Sequence, residues 1–191
     1  MTTGQVVTIH TVRERDGVAE ARPETTVRSD FGLEGDWRSR SGSPRQVTLI
    51  DEEWLQATGA RLGYPVPPGA TRRQVTVRGL PLRDLVGKTL QAGDVLLAVT
   101  EPCDPCENMN RKIGEGAREA LQGWGGVSAR VVQGGTLRAG DAIVVREAAP
   151  GAPAQVEPDR GPHQGRASAA SDPGRGGAKR ATWEGVGTVG S

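Results

Sequence analysis

Six short apolar runs separated by turn residues constrain this chain more than any other feature. They read QVVTIHTV (5–12), RQVTLI (45–50), RQVTV (73–77), DVLLAVTE (94–101), GVSARVVQGG (126–135) and DAIVVRE (141–147). Each is strand-sized and rich in Val and Thr, whose branching at Cβ suits a pleated surface. Only two stretches read as helix. In DEEWLQATGARLG (51–63), Asp51 can cap the start, Glu52 and Glu53 favour the first turn, and Gly63 can end the helix. Trp54, Leu55 and Leu62 give it one apolar side. The second lies between Cys106 and Gln122 and is interrupted by Gly114 and Gly116. Many strands with few helices predict a mainly β fold, an antiparallel barrel or sandwich with short α segments attached. LQAGDVLLAV and LRAGDAIVVR each set Gly-Asp before an apolar strand, which reads as repeated turn chemistry.

Four Trp, one Tyr and one Phe in 191 residues leave the core to Val, Leu, Ile and Ala. Past residue 147 the texture changes. Residues 148–191 contain no Leu, Ile, Met or Phe and are dominated by Ala, Gly, Pro, Ser and Arg. Such a segment buries too little apolar surface to offset its ordering entropy. The expected organisation is one domain at 1–147 and a disordered tail at 148–191, with Trp183 as the tail's one sticky point and His163 a solvated tail residue.

A formal net charge of +1 gives no general reason to expect a nucleic-acid partner, and no helix or finger signature for one is visible. No apolar run reaches the roughly 18 residues of a membrane span, and MTTGQVVTIHTV lacks the zones of a signal peptide. The chain is therefore expected to be soluble, without a membrane partner, and cytoplasmic. Its only cysteines, Cys103 and Cys106 in TEPCDPCENMN (100–110), suit a reducing compartment, because a disulfide between them would close a tiny loop and stabilise little.

What the two cysteines do stays open on their own chemistry. A structural zinc site wants four ligands, whereas the folded part offers Cys103, Cys106 and His10. A Cys-His hydrolase would have His10 as its only base, and His10 falls in a period-two strand pattern. Cys-x-x-Cys can be a redox dithiol, although the βαβ context of thioredoxin is missing. Both can also be inert small apolar residues.

The flanking residues carry a resemblance. FGLEGDW, RQVTLIDEEWL, the run GATRRQVTVRGLPLRDLVGKTLQAGDVLLAVTEPCDPCENM and GWGGVSARVVQGGTLRAGDAIVV together resemble the MOSC domain, named after the C-terminal domain of molybdenum cofactor sulfurases. The resemblance spans residues 5 to 146, and its most specific parts are Thr71-Arg72-Arg73, Pro105-Cys106 and the closing Gly-Gly and Gly-Asp turns. It implies a barrel-like β fold and a cysteine that carries sulfur or ligates the molybdenum of a pterin cofactor. By motif that cysteine is Cys106, with Cys103 a neighbour that tunes or caps it. A thiolate is a soft, charged ligand and suits molybdenum.

Such a cofactor also carries an anionic phosphate and a polar pterin, for which Arg45, Arg72 and Arg73 are the candidate forks. The family commonly reads Gly-Asp-Arg followed by His or Tyr where this chain has Gly35-Asp36-Trp37-Arg38, so only Asp36 is carried over as a pocket residue. The family includes sulfur-transfer domains and molybdenum reductases of N-hydroxylated compounds. A reductase would take electrons from a partner protein, since no flavin, haem or iron–sulfur motif is visible. A non-catalytic module that delivers cofactor or sulfur to an acceptor protein is the alternative. Pyridoxal phosphate is not expected, because full-length sulfurases bind it on a separate domain and none of the three lysines, Lys88, Lys112 and Lys179, sits in a Schiff-base setting.

Overall fold

The computed structural model describes residues 2–148, so the expectations for the tail, His163 and Trp183 lie outside the described residues. Seven strands close into a barrel: β1 (Thr3–Thr11), β5 (Val47–Asp51), β6 (Val75–Arg78), β7 (Thr89–Ala92), β8 (Val95–Pro102), β9 (Val127–Gln133) and β11 (Ala142–Arg146). Their order is β11-β7-β8-β9-β5-β6-β1, with β1 pairing back onto β11, and β2 (Glu20–Arg22) extends β1. Closure removes the free edges that an open sheet would expose. A second sheet has the order β10-β3-β4, built from β10 (Gly135–Arg138), β3 (Glu24–Arg28) and β4 (Gly32–Leu33).

All six apolar runs are strands of the barrel. The strands that the sequence pattern does not announce, β2, β3, β4, β7 and β10, are five residues or shorter; all but β2 place only one or two apolar side chains in the core, too few to show an alternation. Inside the barrel Val6, Ile9, Leu49, Val75, Leu97, Val131 and Ile143 belong to one buried aliphatic cluster. The pairing is antiparallel except between β5 and β6, where Leu49 lies opposite Val75 in a parallel register. A parallel pair needs a long crossover, and α1 (Glu52–Leu62) supplies part of it.

The helix ends at Gly63, which takes φ 78° and donates its N–H to the Gly59 carbonyl. Two shorter helices, α2 (Asn108–Lys112) and α3 (Ala117–Ala120), occupy the second helical stretch on either side of Gly114 and Gly116. Leu55, Met109, Ala117 and Leu121 gather with Ile50 and Val66 in a second buried cluster, which fastens the three helices to β5. Trp54 of α1 stacks on Trp124, with centroids 3.4 Å apart and planes 16° from parallel.

Asp51 occupies the cap position of α1, yet its side chain makes no capping bond; Oδ1 instead accepts the Leu82 N–H at 3.0 Å. Burial pushes its pKa up to about 6, with smaller upward contributions from Glu53 and Asp84 and an opposing one from the Leu82 bond. A folded-state pKa above the unfolded value of 3.8 means that the folded protein holds the proton more tightly, so stability is lost as pH rises through this window. Measured by denaturant titration, the stability of the wild type relative to Asp51→Asn should therefore fall by about 2–3 kcal/mol between pH 4 and pH 7.

Candidate functional site

Three segments meet at one side of the barrel: the 36–38 turn, the approach to β6 at 71–74 and the loop that leaves β8 at Pro102. The loop is pinned at both ends. Cys103 donates its N–H to the Gly126 carbonyl at 2.8 Å, and its Sγ lies 2.9 Å from Ser128 Oγ. Pro105 is buried and Cys106 exposed. The Cys106 carbonyl accepts the Met109 N–H at 2.8 Å, and Met109 is buried in the second cluster. Gly125 faces this loop so closely that a Cβ on it would come within 2.0 Å of the Cys103 carbonyl oxygen, so the position takes only glycine. Both cysteines are free thiols.

Arg73 is buried at the centre of this arrangement. Its Nε donates to the Gly125 carbonyl at 2.5 Å and Nη1 to Thr71 at 3.1 Å, while Nη2 reaches the carbonyls of Cys103 at 3.4 Å and Asp104 at 3.5 Å. Burial lowers its pKa, and negative charge on Cys103 and Cys106 acts the other way. Its acceptors are neutral carbonyls, so the guanidinium is hydrogen-bonded without its charge being cancelled.

Arg72 adopts φ 60°, one of two non-glycine residues at positive φ among the described residues. Its guanidinium holds the neighbouring loop, donating to Arg15 O at 2.9 Å and Gly17 O at 3.3 Å. Asp36 is buried, accepts the Val12 N–H at 3.1 Å through Oδ2 and pairs through Oδ1 with Arg38 Nε at 3.3 Å. Arg38 Nη1 in turn donates to the Arg72 carbonyl at 2.8 Å. Asp36 thus aims Arg38 rather than facing the cavity itself. Arg45 pairs with Glu101 on the rim.

Two chambers open on either side of Cys106. The larger, about 510 Å³, is lined by Arg15, Arg38, Arg72, Arg73, Arg111 and Lys112, against one carboxylate, Asp16. The smaller, about 310 Å³, is lined by Arg38, Arg45, Arg73, Gln74, Cys103 and Ser128 among others. Cys106, Arg38 and Arg73 line both. Each chamber also has a buried polar atom without a partner: Thr71 Oγ1 in the larger, Gln74 Nε2 in the smaller. Those residues are 1% and 2% exposed. Buried donors are seldom left unpaired, so each calls for a ligand acceptor or a water.

The structure thus gathers Cys106, Cys103, Arg72, Arg73 and Arg45 around one cavity system, with Arg72 and Arg45 in different chambers. Residue patterns did not single out Arg38, Thr71, Gln74 or Ser128. Arg38 follows the Gly-Asp turn and Thr71 opens Thr-Arg-Arg, so both lay inside motifs already quoted. Gln74 and Ser128 carry no signal beyond a polar residue within a buried strand run. His10 lies in β1 with its ring against Gly69, lines neither chamber, and has its pKa lowered by burial. Among the described residues no three His, Cys, Asp or Glu side chains are grouped to hold a metal ion.

Residues 36–144 match the model of the MOSC domain, and the chain belongs to that family. No curated protein matches the sequence. Among solved structures, the YuaD protein from Bacillus subtilis superposes with a TM-score of 0.69 at 18% identity, covering 76% of this chain and 96% of that one. YiiM from Geobacillus stearothermophilus gives 0.63 at 22% identity over 75% of each chain, and YiiM from Escherichia coli 0.57 at 18% over 76% of this chain and 71% of that one. At these identities the likeness establishes the fold.

Arg73→Lys keeps a charge but cannot reach carbonyls in four directions. It should cost about 2 kcal/mol, a drop of about 4–8 °C in thermal midpoint by calorimetry.

Proposed function

We propose that this MOSC protein binds molybdenum cofactor, or carries sulfur, through the thiolate of Cys106. The observation that carries the reading is an exposed cysteine held between two chambers that share two guanidiniums and hold unpartnered buried donors. The residues present fit the group: a soft thiolate for the metal, Arg72 and Arg73 with Arg38 for a phosphate, and Thr71 Oγ1 and Gln74 Nε2 for further acceptors. Arg45 reaches the same system from the rim of the smaller chamber. When bound, the cofactor supplies two-electron redox chemistry or a transferable sulfur.

The chain's own part is binding and orientation. Arg73 holds the Cys loop while keeping an uncancelled charge beside the thiol, Asp36 aims Arg38, and Cys103 is tied to Ser128, which leaves Cys106 as the exposed thiol without a side-chain partner. The last point favours one acting thiol over a Cys103–Cys106 dithiol. As a reductase component the protein works in the cytoplasm with an electron-donor protein; as a carrier it passes cofactor or sulfur to an acceptor. No helix among the described residues is long and apolar enough to cross a membrane.

Expression in a host that makes molybdenum cofactor, followed by metal and pterin analysis, tests the proposal. Cys106→Ser should abolish molybdenum retention, and Cys103→Ser should weaken it by no more than about tenfold, the lower range for a group that acts through its neighbour. Equal and complete loss in both variants would instead support a shared dithiol site.

A further inference from the structure

The larger chamber holds more positive charge than one phosphate calls for. Of its six cations only Arg38 has a carboxylate ion pair among the described residues; Arg15, Arg72, Arg73, Arg111 and Lys112 have none. A phosphate monoester brings a charge of about −2. Arg73 is buried and Arg72 half-buried beside Thr71, and their two charges match that demand. Arg15 and Lys112 are exposed, unpaired and left over.

The left-over charge adjoins a second surface of opposite character. A cleft of about 330 Å³ is walled by Val18, Ala19, Pro67, Pro68 and Ala70 and shares Arg72 and Lys112 with the larger chamber. Val18 is 83% exposed on the loop that Arg72 holds through the Arg15 and Gly17 carbonyls. Apolar wall and unpaired cations therefore meet at Lys112 and Arg72.

We infer that this junction is the substrate subsite of the Cys106 centre, and that it takes an organic anion with an apolar body. The anionic head meets Lys112 and Arg15, and the body lies along Val18, Pro67 and Ala70. The inference rests on the reading of Cys106 as the cofactor-holding group, which makes the adjoining ligand a substrate.

Calorimetric titration of the full chain with phenyl phosphate, inorganic phosphate and phenol tests it. Phenyl phosphate should bind at least about tenfold tighter than either of the others, the gain for taking an aromatic face out of water. Lys112→Gln should weaken phenyl phosphate by about tenfold. Val18→Asn should remove the advantage of the ring and leave inorganic phosphate unchanged. Both substitutions are at exposed positions, so loss of folding does not confuse the result.

Equal affinity for phenyl phosphate and phosphate would overturn the apolar half of the inference, and phenol binding as tightly as phenyl phosphate would overturn the anionic half. Phenyl phosphate should also bind to molybdenum-loaded protein; exclusion there would give the cleft to the cofactor and end the inference. If molybdenum is retained and the titrations fail, only the subsite is lost. If the titrations succeed on protein that never takes up molybdenum, the cofactor reading fails instead.

Discussion

The site depends on one buried guanidinium. Arg73 sits where β6 begins and ties together the carbonyls of Thr71, Cys103, Asp104 and Gly125, residues that come from three separate parts of the chain. A guanidinium can do this because its donors point in fixed, diverging directions; an ammonium cannot reach all four. The desolvation cost is offset by hydrogen bonds to neutral acceptors, and the positive charge survives. Arg73 also lines both of the chambers that border Cys106.

The surrounding fold serves this clamp. The Trp54–Trp124 stack fixes the start of the segment that holds Gly125, and Gly125 has no side chain to push Cys103 away. Met109, buried against α1 and α3, anchors the far end of the loop. Between these fixed points the two thiols differ in kind: Cys103 is spent on Ser128 and the loop's own hydrogen bonds, whereas Cys106 faces outward into both chambers. The two thiols of this Cys-x-x-Cys spacing thus differ in environment, one hydrogen-bonded and half-buried, the other exposed.

Electrostatics follow the same division between whole and part. A chain with a formal charge of +1 nevertheless lines one cavity with six cations and a single carboxylate. Elsewhere on the described surface basic residues meet acids, as in Arg78–Glu52, Arg130–Asp30 and Arg138–Glu24. Six cations against one carboxylate in that cavity create a local field that net charge hides.

The sequence by itself determined a mainly β fold, barrel or sandwich, and the place of the cysteine loop; the β1–β11 pairing that closes the barrel is tertiary. Strands β1, β5, β6, β8, β9 and β11 have apolar alternation strong enough to read locally, and the motifs around Thr71-Arg72-Arg73 and Pro105-Cys106 mark the family. Strands β2, β3, β4, β7 and β10 were illegible because each is five residues or shorter and carries at most two core side chains, too few for a local alternation. Tertiary structure alone decided what each candidate does. It turned Asp51 from a helix cap into an acceptor for Leu82, made Asp36 the support of Arg38, and gave Arg73 to the loop carbonyls. It also brought Gln74 and Thr71 to the cavity with donors unspent. Such roles depend on which carbonyls and carboxylates lie within about 3 Å across the folded chain, and no local pattern of residues encodes that.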